Sequence, residues 1–284
     1  LVAQEPASPR DHSRLFIYDT STDTVQFDHF YHLPKYIPSN TFLVLNKTKV
    51  VPARLTLYKE SGGKVISLLL VNEMEKNHIK AIMDRKVEIG QKLYFDKKYC
   101  FTVIGQNEQL FTLEFHFSKL VLFSLLETQG KMPLPPYLKN SKLTEAERRR
   151  KYQTIFAKTP GSAAAPTASL HFTKRVMKHL DESKVPQTFV NLHVGLGTFS
   201  PVFPEHIERK KLHSEFYEVP QETAQQINAW KKEGKRLLAA GTTVVRTLES
   251  ACQNNHLHPR GSAGETDIFI YPPYEFKMVD MLLT

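Results

Sequence analysis

Two blocks of the sequence hold side chains that could move protons. His171 ends the small-residue run PGSAAAPTASLHF, while His213 and Glu215 lie two residues apart in LHSEFYEV. Histidine can act as a general acid or base because its pKa lies near working pH. On a strand, His213 and Glu215 would point to the same face and form an acid–base pair. For His171 a structural role is the plainer alternative, since most loop histidines have one.

The block NLHVGLGTFSPV could hold a sugar or adenosyl group. It brings His193, Gly195, Gly197 and Thr198 to the end of a predicted strand. A dinucleotide-binding loop needs a third glycine and a following helix, and this block has neither. The backbone donors of the loop are still available to a smaller ligand.

The block GTTVVRTLES is typical of an anion site. It follows the predicted strand Arg236–Ala240 and opens a predicted helix, so that free amide groups lie beside Thr242 and Thr243. Helix N-termini bind anions through such groups. Arg246 lies one turn further on. A simple capped helix is the equal alternative.

Two further blocks offer donors in loops. NKTKVVPARL carries Lys47, Lys49 and Arg54, which could bind phosphate or carboxylate, although an interdomain linker is the plainer interpretation. The small-residue run before His171 also offers the hydroxyl of Thr167 to a ligand that approaches the backbone closely.

The pattern of residues argues against two other chemistries. Ser214 lacks the Gly-x-Ser-x-Gly surroundings of a hydrolase nucleophile. His171, His193 and His213 lack the spacing of local zinc motifs, so we predict no metal.

Composition indicates a globular protein. The chain has 284 residues, 41% of them hydrophobic, which suggests one or two domains with a sizeable core. Its net charge of +9 favours polyanionic partners, although solubility alone would also explain it. Two distant cysteines, Cys100 and Cys252, fit a reducing cytoplasmic compartment. Residues 1–14 do not have the pattern of a secretory signal, and no apolar run reaches the ~20 residues that a membrane span needs. The chain lacks a starting Met, so we expect a piece of a longer protein.

The predicted type of secondary structure changes twice along the chain. A hairpin is predicted around 15–27 and a buried strand over Thr41–Asn46. Short β-branched and aromatic runs follow, separated by glycines, which is typical of a small barrel. After Ser118, helical and strand-like segments alternate, including a predicted strand Asp267–Tyr271. We predict an α/β domain, 1–53 and 119–284, interrupted by an inserted small all-β barrel domain, 54–118.

Taken in order, these blocks resemble one family. NKTKVVPARL, MPLPPY, YQTIFAKTPGSAAAPTASLHF, LHVGLGTFSPV, LHSEFYEV, GTTVVRTLES and FIYPPYEFKMVDMLLT resemble successive signatures of the S-adenosylmethionine:tRNA ribosyltransferase-isomerases of queuosine biosynthesis. The resemblance covers nearly the whole chain and is weakest at 59–118. Ser169 stands where the family usually has Gly, and the family continues beyond the equivalent of Thr284.

The resemblance implies an activity. Such an enzyme transfers and isomerises the ribosyl moiety of S-adenosylmethionine onto 7-aminomethyl-7-deazaguanine at the tRNA wobble position. The products are epoxyqueuosine, adenine and methionine, and S-adenosylmethionine is a substrate, so no cofactor is implied. Its partners are therefore tRNA and S-adenosylmethionine, with no obligate protein partner evident. A non-catalytic tRNA-binding protein on the same scaffold is the main alternative, and a small-molecule hydrolase is the second.

The blocks also imply roles for residues. We expect His171 and His213 to supply acid–base function, with Glu215 tuning one of them. A second set of residues is expected to bind substrate: Arg54, Thr167, His193, Gly195, Gly197, Thr198, Thr242, Thr243 and Arg246. Within that set, His193 and its loop would line the adenosyl pocket, and the GTTVVRTLES residues would bind the methionine carboxylate or a phosphate.

Overall fold

The protein combines a closed β barrel with a mixed sheet covered by helices. The structure, a computed structural model, describes residues 3–138, 140–195 and 202–284. In these ranges the strands are β1 (Arg14–Asp19), β2 (Thr24–His29), β3 (Thr41–Asn46), β4 (Thr48–Val50), β5 (Arg54–Lys59), β6 (Lys64–Glu75), β7 (His78–Met83), β8 (Lys92–Tyr94), β9 (Cys100–Asn107), β10 (Leu110–Phe115), β11 (Thr159–Ser162), β12 (Gln187–Leu192), β13 (Lys211–Val219), β14 (Arg236–Ala240), β15 (Cys252–Gln253), β16 (His256–Leu257), β17 (Ser262–Ile268) and β18 (Met281–Leu283).

Helices pack mainly around the mixed sheet. They are α1 (Lys119–Gln129), α2 (Glu145–Lys151), α3 (Lys174–Glu182), α4 (Pro204–Arg209), α5 (Gln221–Lys232) and α6 (Thr242–Ala251). Short 3₁₀ helices occur at Arg10–His12, Phe30–Tyr36, Pro136–Leu138 and Thr167–His171. None of the helices in the described ranges is long and apolar enough to cross a membrane.

The barrel is closed by six antiparallel strands in the order β10-β7-β6-β5-β8-β9. Alternate residues point inward, so that Phe111, Leu113 and Phe115 of β10 are buried while their neighbours are partly exposed. Register shifts in β6 and between β9 and β10 bend the strands, as closure of a small barrel requires. Helix α1 adds Leu122 and Leu126 to this core.

The mixed sheet has the order β17-β13-β12-β3-β14-β18. Its four strands β12, β3, β14 and β18 are parallel, and β13 and β17 extend it antiparallel at one edge. All six residues of β3 are buried, because alternate side chains enter two different cores. Phe42 and Val44 pack toward α5 and α6, whereas Leu43 and Leu45 pack toward α3.

These observations confirm the predicted fold class, an α/β fold interrupted by a small barrel. The hairpin, the buried strand Thr41–Asn46 and the barrel strands occur where the sequence predicts them. The exact domain limits at 53/54 and 118/119 stay a prediction. The predicted strand Asp267–Tyr271 is wrong for most of its length, because β17 ends at Ile268. Its pairing with β13 already shifts register between Lys211 and Glu215.

A contact at the junction of barrel and helix gives a stability test. Gly130 ends α1, and a Cβ atom there would overlap the carbonyl oxygen of Pro52. Gly130→Ala should therefore lower the free energy of unfolding by about 2 kcal/mol, as overpacking does. Urea denaturation measures this loss.

Gly105→Ala is the matched control inside the barrel. The nearest atom to a Cβ there is Thr112 Oγ1 at 3.7 Å, an ordinary contact. We expect a change within about 0.5 kcal/mol. Equal unfolding midpoints for the two variants would contradict the tight junction at Gly130.

Candidate active site

One cavity opens at the carboxyl ends of β12 and β14. Its volume is about 650 Å³, within the usual range of small-molecule sites. In open parallel sheets, ligands bind at this end of the strands. The cavity has an apolar wall that includes Val245, Ile268, Phe269, Ile270 and Phe276. Six of the predicted residues also line it, namely Thr167, His213, Glu215, Thr242, Thr243 and Arg246.

A buried ion pair forms one side of the cavity. Arg246 of α6 donates through Nη1 to Glu215 Oε2 on β13, and Glu215 is only 5% exposed. Arg246 Nη2 also donates to the carbonyl of Thr266 on β17, at 3.2 Å. The other carboxylate oxygen of Glu215 accepts the N–H of Gly195, at 3.0 Å. One pair thus joins β13, β17, α6 and the segment after β12.

Two opposing effects act on the pKa of Glu215. Burial raises the pKa of Glu215, while Arg246 and the Gly195 N–H stabilise the charged form and oppose that shift. The contacts with Arg246 indicate a charged carboxylate that holds its partners in place. The carboxylate of Glu215 is thus directed at Arg246 and Gly195, and its tuning of a histidine stays a prediction.

His213 is available for chemistry. Its Nε2 atom is buried and has no hydrogen-bond partner among the described residues. Its ring contacts the ring of His206 on α4, with centroids 4.8 Å apart. Burial lowers the pKa of His213, and His206 and Arg246 lower it further. The neutral imidazole therefore predominates at neutral pH and can accept a proton.

The N-terminus of α6 points into the same cavity. Gly241 caps the helix with φ at 93°, a conformation that favours glycine. Thr243 Oγ1 and Arg246 Nε are buried, with no hydrogen-bond partner in the described part of the chain. Two donors and the amide groups of a helix start together form a place for an anion.

Two of the predicted binding residues, His193 and Gly195, are not among the residues that line the cavity. His193 is 7% exposed, and its Nδ1 atom lies 2.8 Å from Thr48 Oγ1. Its ring also packs so close to Gly161 that a Cβ there would lie 2.9 Å away. His193 is therefore a buried support in the described part of the chain, and its place in an adenosyl pocket stays a prediction. Gly195 acts through Glu215, and Gly197 and Thr198 lie outside the described residues.

His171 and Arg54 are also placed elsewhere. His171 Nδ1 lies 2.9 Å from Ser13 Oγ, and its ring packs on Phe30. Burial lowers the pKa of His171, but the side chain does not line the cavity. Arg54 lines a different cavity, beside the 133–138 loop. The structure thus separates both from the other candidates.

One carboxylate that positions part of the cavity wall, Glu249, is not among the residues predicted from the sequence. Glu249 of α6 is buried and accepts the N–H groups of Lys277, Met278 and Val279 at 3.0–3.1 Å. This fixes the segment whose Phe276 and Val279 line the cavity. Glu249 occurs in GTTVVRTLES, but its partners are about 30 residues away. Among the described residues, no cluster of three or more His, Cys, Asp or Glu could hold a metal ion.

Fold and site together define an α/β protein with an inserted barrel and a nucleoside-sized cavity at the end of its parallel strands. A family model described as queuosine biosynthesis protein matches residues 1–284. The chain therefore belongs to the queuosine biosynthesis protein family.

Curated relatives agree with this family. The chain is 44% identical over 287 residues to an S-adenosylmethionine:tRNA ribosyltransferase-isomerase of Thermosipho melanesiensis, covering 100% of the chain and 82% of the relative. It is 42% identical to the protein of the same name from Carboxydothermus hydrogenoformans, with the same coverage of both chains. A crystal structure of S-adenosylmethionine tRNA ribosyltransferase from Thermotoga maritima is 29% identical, with a TM-score of 0.49 over 99% of this chain and 80% of that one.

The role of Glu249 can be tested by removing its carboxylate. Glu249→Ala leaves three backbone N–H groups without their acceptor, so the protein should lose about 2 kcal/mol of stability. Amide hydrogen exchange at 277–279 should become faster. Glu233→Ala, an exposed change on the same side of the sheet, is the control and should leave those amides unchanged. Unaltered exchange at 277–279 in Glu249→Ala would show that the Glu249 carboxylate does not hold this segment in place.

Proposed function

We propose that the chain transfers and isomerises the ribosyl moiety of S-adenosylmethionine onto 7-aminomethyl-7-deazaguanine at the tRNA wobble position. Epoxyqueuosine is formed, and adenine and methionine are released. S-adenosylmethionine is a substrate, and the proposal includes no cofactor. The activity named for the relatives of this chain supports the proposal.

One observation carries the proposal. The cavity of about 650 Å³ brings together an unpartnered histidine nitrogen, the start of α6 and a long apolar wall. S-adenosylmethionine has matching parts, since it carries acidic protons at C5′, a carboxylate and a flat adenine. The three features of the cavity therefore correspond to the three parts of this substrate.

His213 is the proposed proton acceptor. The sulfonium of S-adenosylmethionine acidifies the C5′ protons, and a neutral imidazole with a free Nε2 can take one of them. The lowered pKa of His213 keeps this base form present at neutral pH. His171, held by Ser13 outside the cavity, has no part in this step.

The α6 N-terminus is the proposed site of the methionine carboxylate. The free amides, Thr243 Oγ1 and Arg246 Nε would donate to it, while Glu215 keeps Arg246 oriented. The apolar wall would receive the adenine, and Phe269 and Phe276 offer aromatic surface there.

tRNA would bind through basic side chains beside this cavity. The chain carries a net charge of +9, and α2 ends in Arg148, Arg149, Arg150 and Lys151. The wobble nucleotide must leave its stack to reach the ribosyl group, as for other enzymes that modify bases. We place the enzyme in the cytoplasm, without an obligate protein partner.

Adenine release tests the function and the role of His213. The wild-type protein should release free adenine from S-adenosylmethionine only when tRNA carrying the aminomethyl base is present. His213→Ala should lower turnover at least ~100-fold, the usual contribution of general base catalysis. His171→Ala, the control at the other nominated histidine, should stay within about threefold of wild type, since His171 lies outside the cavity. Binding of tRNA without adenine release would favour the non-catalytic alternative.

The pH dependence follows from the same residue. Because burial lowers the pKa of His213, the base form is lost only below the ordinary histidine value of about 6.5. kcat/KM should therefore be constant near pH 7 and fall as the pH drops through that lowered pKa. This acid limb should disappear from the residual activity of His213→Gln. A midpoint above pH 7 would contradict the assignment.

A further inference from the structure

A second cavity lies between the barrel and the edge of the mixed sheet. Its volume is about 490 Å³, and it is bounded by β6, β7 and β10 on one side and by β13 and β17 on the other. The polar side chains that line it include Asn72, Glu73, Lys80, His213 and Glu265.

This cavity is acidic in a basic protein. Glu73 from the barrel and Glu265 from β17 both line it, and Glu75 adds a third carboxylate. Glu73 is half-buried, and its carboxylate has no hydrogen-bond or ion-pair partner in the described part of the chain. Burial and the charge of Glu265 raise the pKa of Glu73. Negative charge therefore accumulates here without full compensation.

The nearby cation does not neutralise the cavity. Lys80 lowers the pKa of Glu73 only as the smallest of three influences. Its Nζ atom donates to Thr112 Oγ1, at 2.8 Å, and forms no ion pair with Glu73. The negative charge of the cavity is therefore not neutralised by Lys80.

Two buried polar atoms in this cavity also lack a hydrogen-bond partner. Asn72 Oδ1 and His213 Nε2 are each inaccessible to solvent and lack a hydrogen-bond partner in the described ranges. Both residues line this cavity. Buried polar atoms are normally satisfied, so these two atoms beside the carboxylates of Glu73 and Glu265 indicate a missing donor. Glu265 accepts one hydrogen bond, from Ser214 Oγ at 2.7 Å, and keeps further acceptor capacity.

His213 also connects this cavity to the first one. It lines both. Gly195 lies at the same boundary, since a Cβ there would be 3.8 Å from Glu73 Oε1 and 4.0 Å from Glu215 Cγ. A ligand in the acidic cavity would therefore meet a ligand in the first cavity at His213.

We infer that the acidic cavity is the subsite for the acceptor base, with Glu73, Glu265 and Asn72 binding its primary ammonium group. The inference rests on the proposed function, which requires an amine-bearing nucleobase next to S-adenosylmethionine. An ammonium group donates three hydrogen bonds and carries the missing positive charge. The heterocycle would occupy the remaining volume between β7, β10 and β13.

The chemistry of the cavity argues against other occupants. A phosphate or carboxylate would be repelled by Glu73 and Glu265. A divalent cation would need at least three ligands in one place, and the described residues contain no such cluster. A cationic organic group with several donors fits the acceptors that are present.

The test compares two anticodon stem-loops without S-adenosylmethionine. One carries 7-aminomethyl-7-deazaguanine at the wobble position, and the other carries 7-methyl-7-deazaguanine, which lacks only the amine. Both have the same phosphates, so that the general electrostatic attraction cancels. The wild-type protein should bind the amine-bearing loop about tenfold more tightly, as expected for a charge-assisted hydrogen bond.

Variants locate the source of this preference. Glu73→Gln should reduce it to less than about twofold. Glu265→Gln, an exposed change with little risk to folding, should reduce it in the same direction. Glu88→Gln removes a charge from the barrel outside the cavity and should leave the preference intact. Thermal unfolding and the affinity for S-adenosylmethionine should be unchanged in all three.

The outcomes separate the subsite from the proposed function. No preference in the wild type, or a full preference in both Glu73→Gln and Glu265→Gln, overturns the subsite. If Glu73→Gln fails to fold, Glu265→Gln decides alone. Adenine release by the wild type, measured separately with both substrates, tells whether the proposed function stands when the subsite does not.

Discussion

The buried pair of Glu215 and Arg246 is the interaction on which the site depends. A charge removed from water is tolerated only when a partner and further hydrogen bonds satisfy it. Here the carboxylate takes Arg246 and the Gly195 N–H, and the guanidinium also takes a carbonyl of β17. Removing one partner of such a pair costs on the order of 3–5 kcal/mol, because the other charge is left buried. The pair therefore fixes the positions of β13 and α6 relative to each other.

The pair also explains why His213 is placed where two ligands could meet. His213 lies two residues before Glu215 on β13, so its position follows from the same anchored strand. On one side it faces the cavity at the start of α6, and on the other it faces the cavity against the barrel. The inserted barrel thus contributes more than a separate fold, because its Glu73 and Asn72 complete the second cavity. A single neutral imidazole would serve the boundary between the two substrates.

The sequence predicts those features that depend on residues close together in the chain. Short runs of β-branched and aromatic residues, separated by glycines, predict the barrel strands. The strand–turn–helix pattern of GTTVVRTLES likewise predicts the anion-binding start of α6. Contacts between distant residues are not visible in such patterns. His171 looks like a catalytic histidine in its loop, but Ser13, 158 positions away, makes it structural. Glu73 carries no local signal, since its significance arises only when β17 brings Glu265 opposite it.

A double-mutant cycle on the affinity for S-adenosylmethionine tests the central claim most directly. Calorimetry would measure the dissociation constants of the wild type, Glu215→Gln, Arg246→Gln and the double variant. We expect each single change to weaken binding at least about tenfold and the double variant to be little worse than either, since both remove one interaction. Losses that simply add, or unchanged affinity in all variants, would show that the pair does not form the substrate cavity.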